Sequence, residues 1–206
     1  MYNSFIETQY VYDRNHFTSW CYNLFELNER LHTEMTISRK LYVNENGYLL
    51  RSYFVVLWEI IYNGKKYLAK QNDVEEKHLA TIAILIDEIL EKCSDDDYFM
   101  INYFRNCASH IFLTRYSVLN EKDEPKEEDE KTPFYTKDGT RYSITYEEIL
   151  KKVENVFGSK LGIIEEPKYK ENLIRRLYPT IHKYCKKIQS IDKQCEKSFH
   201  KNILKP

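Results

Sequence analysis

The stretch LLRSYFVVLWEII, residues 49–61, decides the fold class of this chain. Arg51 is its only charge before Glu59 in a protein that is 31% charged. With residues about 100° apart on a helix, its apolar side chains fall on almost every side. Such a helix belongs in the middle of a bundle, packed by others all round. The spacing predicts a helix over about 47–70, with Arg51 free to point at a partner.

The flanking segments supply the neighbours. Leu24, Leu27 and Leu31 recur at three and four residues and predict a helix over about 17–35. Leu79, Ile82, Ile86 and Leu90 form a stripe on another, over about 74–92. The run Ser94, Asp95, Asp96, Asp97 is a helix start, because short polar side chains accept bonds from the first free amides and acids suit the positive end of the dipole. A divalent-metal cluster is the sharper and less favoured reading of the same acids. A fourth helix follows over about 98–119.

Downstream, Asp138-Gly139 between alternating segments predicts a small β-hairpin near 134–144. Thr145 and Glu148 form a capping box for a helix running to about Phe157, stopped by Gly158. A last basic helix covers about 168–203, with a bend at Pro179. Only five Gly and five Pro occur in 206 residues, and 42% of residues are hydrophobic. The expected fold is therefore all-α, a bundle of about five to six helices with one hairpin inserted. Residues 1–120 form its core, 121–133 an acidic loop, and 134–206 complete the same domain.

The five cysteines, Cys21, Cys93, Cys107, Cys185 and Cys195, are odd in number, scattered and without a CxxC pair, as expected of thiols in a reducing cytoplasm. No leader-like opening and no long apolar run suggests a membrane protein. The net charge of -1 conceals an asymmetry. Glu121, Asp123, Glu124, Glu127, Glu128, Asp129 and Glu130 face only Lys122 and Lys126, whereas from Lys168 onward the basic residues outnumber Glu171, Asp192 and Glu196 to a net charge of about +8. In that tail Arg175, Arg176, Lys183, Lys186 and Lys187 are interspersed with Tyr169, Tyr178 and Tyr184, a pattern suited to single-stranded RNA through phosphate attraction and base stacking. A solvated basic helix face explains it equally well.

The fourth helix carries the candidate chemistry. Residues 99–114, FMINYFRNCASHIFLT, hold one permanent charge, Arg105, and one histidine, His110. Ile101, Phe104, Ala108, Ile111 and Phe112 share an apolar sector. Asn102, Tyr103, Asn106, His110 and Thr114 lie opposite, with Arg105 and Ser109 at the margin. A solvated face in this chain would be Glu and Lys, so a face of amides, hydroxyls and an imidazole is one that something covers. Arg105 and His110, five residues apart, are splayed by about 140°, and two copies packed about a twofold axis would bring both pairs into one groove. Arg offers a planar fork for phosphate oxygens and His exchanges protons near neutral pH, which is what cleavage of RNA by its own 2′-hydroxyl requires.

The run Arg105-Asn106-Cys107-Ala108-Ser109-His110 resembles the RxxxxH motif of the HEPN superfamily (higher eukaryotes and prokaryotes nucleotide-binding), with a polar residue directly after the Arg, on a late helix of a helical bundle. The resemblance implies a homodimer with a composite site. It also implies metal-independent endoribonuclease activity in a prokaryotic toxin-antitoxin, abortive-infection or antiviral-defence setting, with an antitoxin or defence partner protein and no cofactor. Arg105 and His110 match its catalytic pair and Asn106 the polar position; Asn102, Ser109 and Thr114 extend the surface toward RNA. The sequence departs from one subgroup's RxxxxHxY pattern, because Phe112 stands where that Tyr is modified by AMP transfer; Tyr116 is one turn further on.

Alternatives stay open: a non-catalytic nucleotide- or RNA-binding module of the same kind, a helical protein-interaction domain, or an Arg105 spent on a bundle carboxylate such as Glu59. Zinc is not expected. His182 with Cys185 and Cys195 with His200 would lie roughly 20 Å apart on one helix. No P-loop, dinucleotide fingerprint or zincin motif is present.

Overall fold

The computed structural model describes residues 2–37, 46–64, 77–108, 131–157 and 165–203, with side chains over 19–36, 49–64, 80–108, 131–157 and 168–191. The described residues form six α-helices and one two-stranded antiparallel sheet. Helix α1 is Tyr2–Ile37, α2 is Asn46–Trp58, α3 is Lys77–Lys92 and α4 is Asp95–Ala108. Strands β1 (Thr132–Tyr135) and β2 (Arg141–Ile144) precede α5 (Tyr146–Phe157) and α6 (Glu165–Ile203). The all-α expectation with its small hairpin is met. No described helix is long and apolar enough to cross a membrane.

Helix α6 is the spine. Its antiparallel partner α1 meets it through Glu29 against His182 and through Arg175, which donates to the Met35 carbonyl at 3.3 Å. On another side, α3 contributes Glu88, whose carboxylate accepts from the Tyr184 hydroxyl, and Lys92, which donates to Thr180. Ile174, Leu177, Ile181, Cys185 and Ile188 of α6 are buried at three- and four-residue spacing, which is the physical reason this charged segment is a helix at all. The helix runs through Pro179, and the wholly buried Asn28 of α1 donates to the carbonyl of Tyr178 just before it, at 3.3 Å.

Helix α2 takes the central place that its sequence predicts. Tyr53, Phe54, Leu57 and Trp58 are buried between α1 and α4, with Phe54 4.8 Å from Phe104 and Trp58 5.4 Å from Tyr98 between ring centroids. Arg51 is exposed. After Trp58 the helix widens into a π-helical turn, Glu59–Asn63, a feature with no signature of its own in the sequence. Its Ile60 and Ile61 are both buried, and Glu59 is left half-buried facing α4.

Two helix starts close as their spacing predicts. The Ser94 amide and hydroxyl donate to Asp97 Oδ2 at 2.7 and 2.9 Å, and the Asp97 amide donates back to Ser94 Oγ at 3.0 Å. That reciprocal box starts α4 three residues earlier than periodicity alone suggests. Thr145 and Glu148 make the same arrangement ahead of α5, at 2.7 Å from the Thr145 amide and 3.3 Å in return. Gly158, expected to stop that helix, and the acidic segment 121–130 lie outside the described residues.

The hairpin pairs Phe134 with Tyr142 and Tyr135 with Arg141, and its turn closes through the Gly139 amide on the Thr136 carbonyl at 2.9 Å. Gly139 has φ +89°, where a Cβ is strained. Phe134 stacks on Phe99 of α4 at 4.8 Å, so the hairpin lids the bundle. Lys137 fastens it further, donating to the Cys93 carbonyl and lying 3.5 Å from Asp95.

Candidate functional site

Helix α4 lies in the bundle with both of its faces engaged. Ile101 and Phe104 are buried as their sector predicts, and so are the amides opposite: Asn102 is 2% exposed and Asn106 3%. The polar face is thus covered at these two positions by the chain's own packing. The helix is described to Ala108, and Ser109, His110, Phe112, Thr114 and Tyr116 lie outside the described residues.

Arg105 is held on two sides. Its Nη1 donates to Asn106 Oδ1 at 3.0 Å, and its Nη2 lies 3.7 Å from Glu59 Oε1, with 28% and 21% of the two side chains exposed. Glu59 is itself fixed by the amide of Asn63 across the π-helical turn. A separation of 3.7 Å is beyond a hydrogen bond and leaves a charge contact only. The ion pair of Arg105 with Glu59 named from sequence is therefore present, in this loose form. By comparison, Arg175 reaches Glu171 at 2.6 Å and Arg176 reaches Asp97 at 2.7 Å.

Three buried donors in this cluster have no partner: Arg105 Nε, Asn102 Nδ2 and Asn106 Nδ2. Asn102 and Asn106 are four residues apart and hence stacked along one face of α4. An unsatisfied buried donor costs roughly 1–3 kcal/mol, and an anionic acceptor recovers it. The cluster therefore has an excess of donors beside one loosely paired carboxylate. Its chemistry suits a phosphate or a carboxylate oxygen.

The basic tail does not present its charges along one line. Arg175 turns to Glu171 and the Met35 carbonyl, whereas Arg176 reaches across to Asp97 on α4. Lys183 donates to the Tyr184 hydroxyl at 3.0 Å and lies over that ring, and the hydrogen bond raises its pKa. Lys186 and Lys187 are exposed on α6.

Asp97 is the best satisfied carboxylate of the region. Burial alone would raise its pKa, but the Tyr169 hydroxyl at 2.5 Å, the Ser94 amide and hydroxyl, and Arg176 together hold it below the usual carboxylate range. Its neighbours Asp95 and Asp96 do not converge on it, and no group of three metal-capable side chains occurs among the described residues. His182 faces Glu29 at 2.6 Å, while Cys185 is buried in the core.

Two groupings escape a linear reading of the sequence. The first is the bond from Asn63 to Glu59 across the π-helical turn, which holds the carboxylate on the side of Arg105. His182, Glu29, Tyr178 and His32 cluster where α1 crosses α6, with His32 stacked on Tyr178 at 3.8 Å. The only sequence signal for the first is the charge gap that ends at Glu59. Comparison of the chain with protein-family models, curated proteins and solved structures finds no match in any of the three.

Proposed function

We propose that this chain is a metal-independent endoribonuclease of the HEPN type, acting in the cytoplasm as a homodimer. We place it among prokaryotic toxins or antiviral-defence effectors, held in check by a partner protein. The observation that supports this most is the setting of Arg105. Asn106 orients its guanidinium from one side, while its Nε remains an unpaired buried donor near the end of α4, five residues before His110. A guanidinium poised in this way binds phosphate oxygens in a fork and stabilises the charge that grows on them in the transition state.

In this reading His110 moves the proton between the 2′-hydroxyl, the phosphate and the 5′-oxygen as general acid or base. Arg105 binds the scissile phosphate. Asn106 is a positioning residue, because its contact is with Arg105. The 2′-oxygen attacks phosphorus, the bond to the 5′-oxygen breaks, and the products are a 2′,3′-cyclic phosphate and a 5′-hydroxyl. The test is cleavage of RNA in EDTA by the wild type and by His110→Ala; equal activity in the two sinks the assignment.

The contact of Arg105 with Glu59 favours a second reading, a binding module or protein-interaction domain in which Arg105 ties α4 to α2. Arg105→Ala then lowers stability and partner binding in wild type and His110→Ala backgrounds alike, with no cleavage to lose.

A further inference from the structure

We infer that Glu59 is a built-in counter-anion of Arg105, which the phosphodiester of RNA must displace; this regulation of the site rests on the nuclease reading above. The geometry of the guanidinium carries the inference. Nη1 is committed to Asn106 at 3.0 Å. The opposite edge, Nε with Nη2, is the one that binds two oxygens of an anion side by side. On that edge, among the described residues, Nε is buried without a partner and Nη2 has the Glu59 carboxylate at 3.7 Å. Glu59 therefore lies beside an edge that is half closed, with Nε buried, and a phosphate takes the fork by displacing the carboxylate.

Two further features make the contact displaceable and still effective. The 3.7 Å separation forgoes the direct bonds that Arg175 and Arg176 make with their carboxylates at 2.6 and 2.7 Å, so little is lost when a phosphate takes the fork. Asn63 pins the carboxylate through the π-helical turn, so Glu59 does not simply swing away into solvent. An incoming phosphate meets a fixed negative charge beside its own binding edge. Like charges held a few ångströms apart at a partly solvated site oppose one another by about a tenfold factor in affinity. The gate sets the threshold at which the site accepts RNA.

The experiment measures binding of a 2′-O-methyl oligonucleotide, which cannot be cut by its own 2′-oxygen, together with cleavage of the matching RNA. Glu59→Gln is expected to tighten oligonucleotide binding about tenfold and to lower KM with kcat little changed, and the gain is expected to vanish when Arg105→Ala is added. Glu59→Asp, which keeps the charge but draws it back by one methylene, guards against a misfolded Gln variant and is expected to tighten binding about threefold. Unchanged or weaker binding in folded variants overturns the gate. If the variants bind more tightly yet no protein cleaves RNA, the nuclease reading fails and the gate stands. If the wild type cleaves and Glu59→Gln leaves both binding and KM unmoved, the gate fails and the nuclease reading stands.

Discussion

Arg176 Nη2 on α6 lies 2.7 Å from Asp97 Oδ2 in the first turn of α4, a carboxylate with 6% of its side chain exposed. The contact ties the C-terminal spine to the helix that carries Arg105, and it shares Asp97 with the capping box and with the Tyr169 hydroxyl. One buried carboxylate thus fixes where α4 begins and how it sits on α6.

Asp97→Asn is expected to destabilise the protein by about 2–3 kcal/mol, combining a weakened cap with loss of a pair whose Arg partner is half exposed. Urea denaturation at pH 7 measures it. The pH dependence follows from the lowered pKa of Asp97 in the folded chain. Its contribution is complete above the unfolded value of about 3.9 and is lost as pH falls through the lower folded value. Wild type is expected to lose this increment only in strong acid, and Asp97→Asn to lack that part of the acid transition.

Gly139→Ala is expected to cost about 1 kcal/mol, because φ +89° suits glycine and the space around a Cβ is open, leaving torsional strain as the whole effect. Thermal unfolding of the two proteins checks this. Gly139→Asn is expected to recover much of the loss, since Asn tolerates the left-handed region.

Thiol labelling is expected to separate the cysteines. Burial, with the Asp97 charge adding to it, pushes the Cys93 thiol up to about 12, and Cys21 and Cys185 are also buried, while Cys107 is half-exposed. At pH 8 the Cys93 thiolate is then about one part in ten thousand, and it is the thiolate that reacts. Alkylation followed by mass mapping is expected to modify Cys107 first of these four and Cys93 only on unfolding; early modification of Cys93 contradicts the burial described.

Local chemistry was legible in the sequence and long-range chemistry was not. Asp138-Gly139 announces its hairpin, and Ser94 with Asp97 and Thr145 with Glu148 announce their helix starts, because both partners lie within four residues. The wheel drawn on α4 separates Phe104 from Asn106 correctly, yet it cannot say that both faces are covered. That depends on α2 at Phe54 and on the hairpin at Phe134, which only the tertiary structure brings there. The π-helical turn has no spacing rule to betray it, and Glu59 entered the sequence reading only as one bundle carboxylate that Arg105 could pair with. The tail shows the same limit: Arg175 and Arg176 look alike in sequence, and one faces α1 while the other faces α4. Helix α1 begins at Tyr2, well before the leucine periodicity that revealed it.

The central claim, RNA cleavage by Arg105 and His110 without a metal, is tested most directly by the ends of RNA fragments made in EDTA. Wild type is expected to leave 2′,3′-cyclic phosphates, with His110→Ala and Arg105→Ala each at least about a hundredfold slower. Equal cleavage by wild type and His110→Ala, or no fragments from the wild type, contradicts the account.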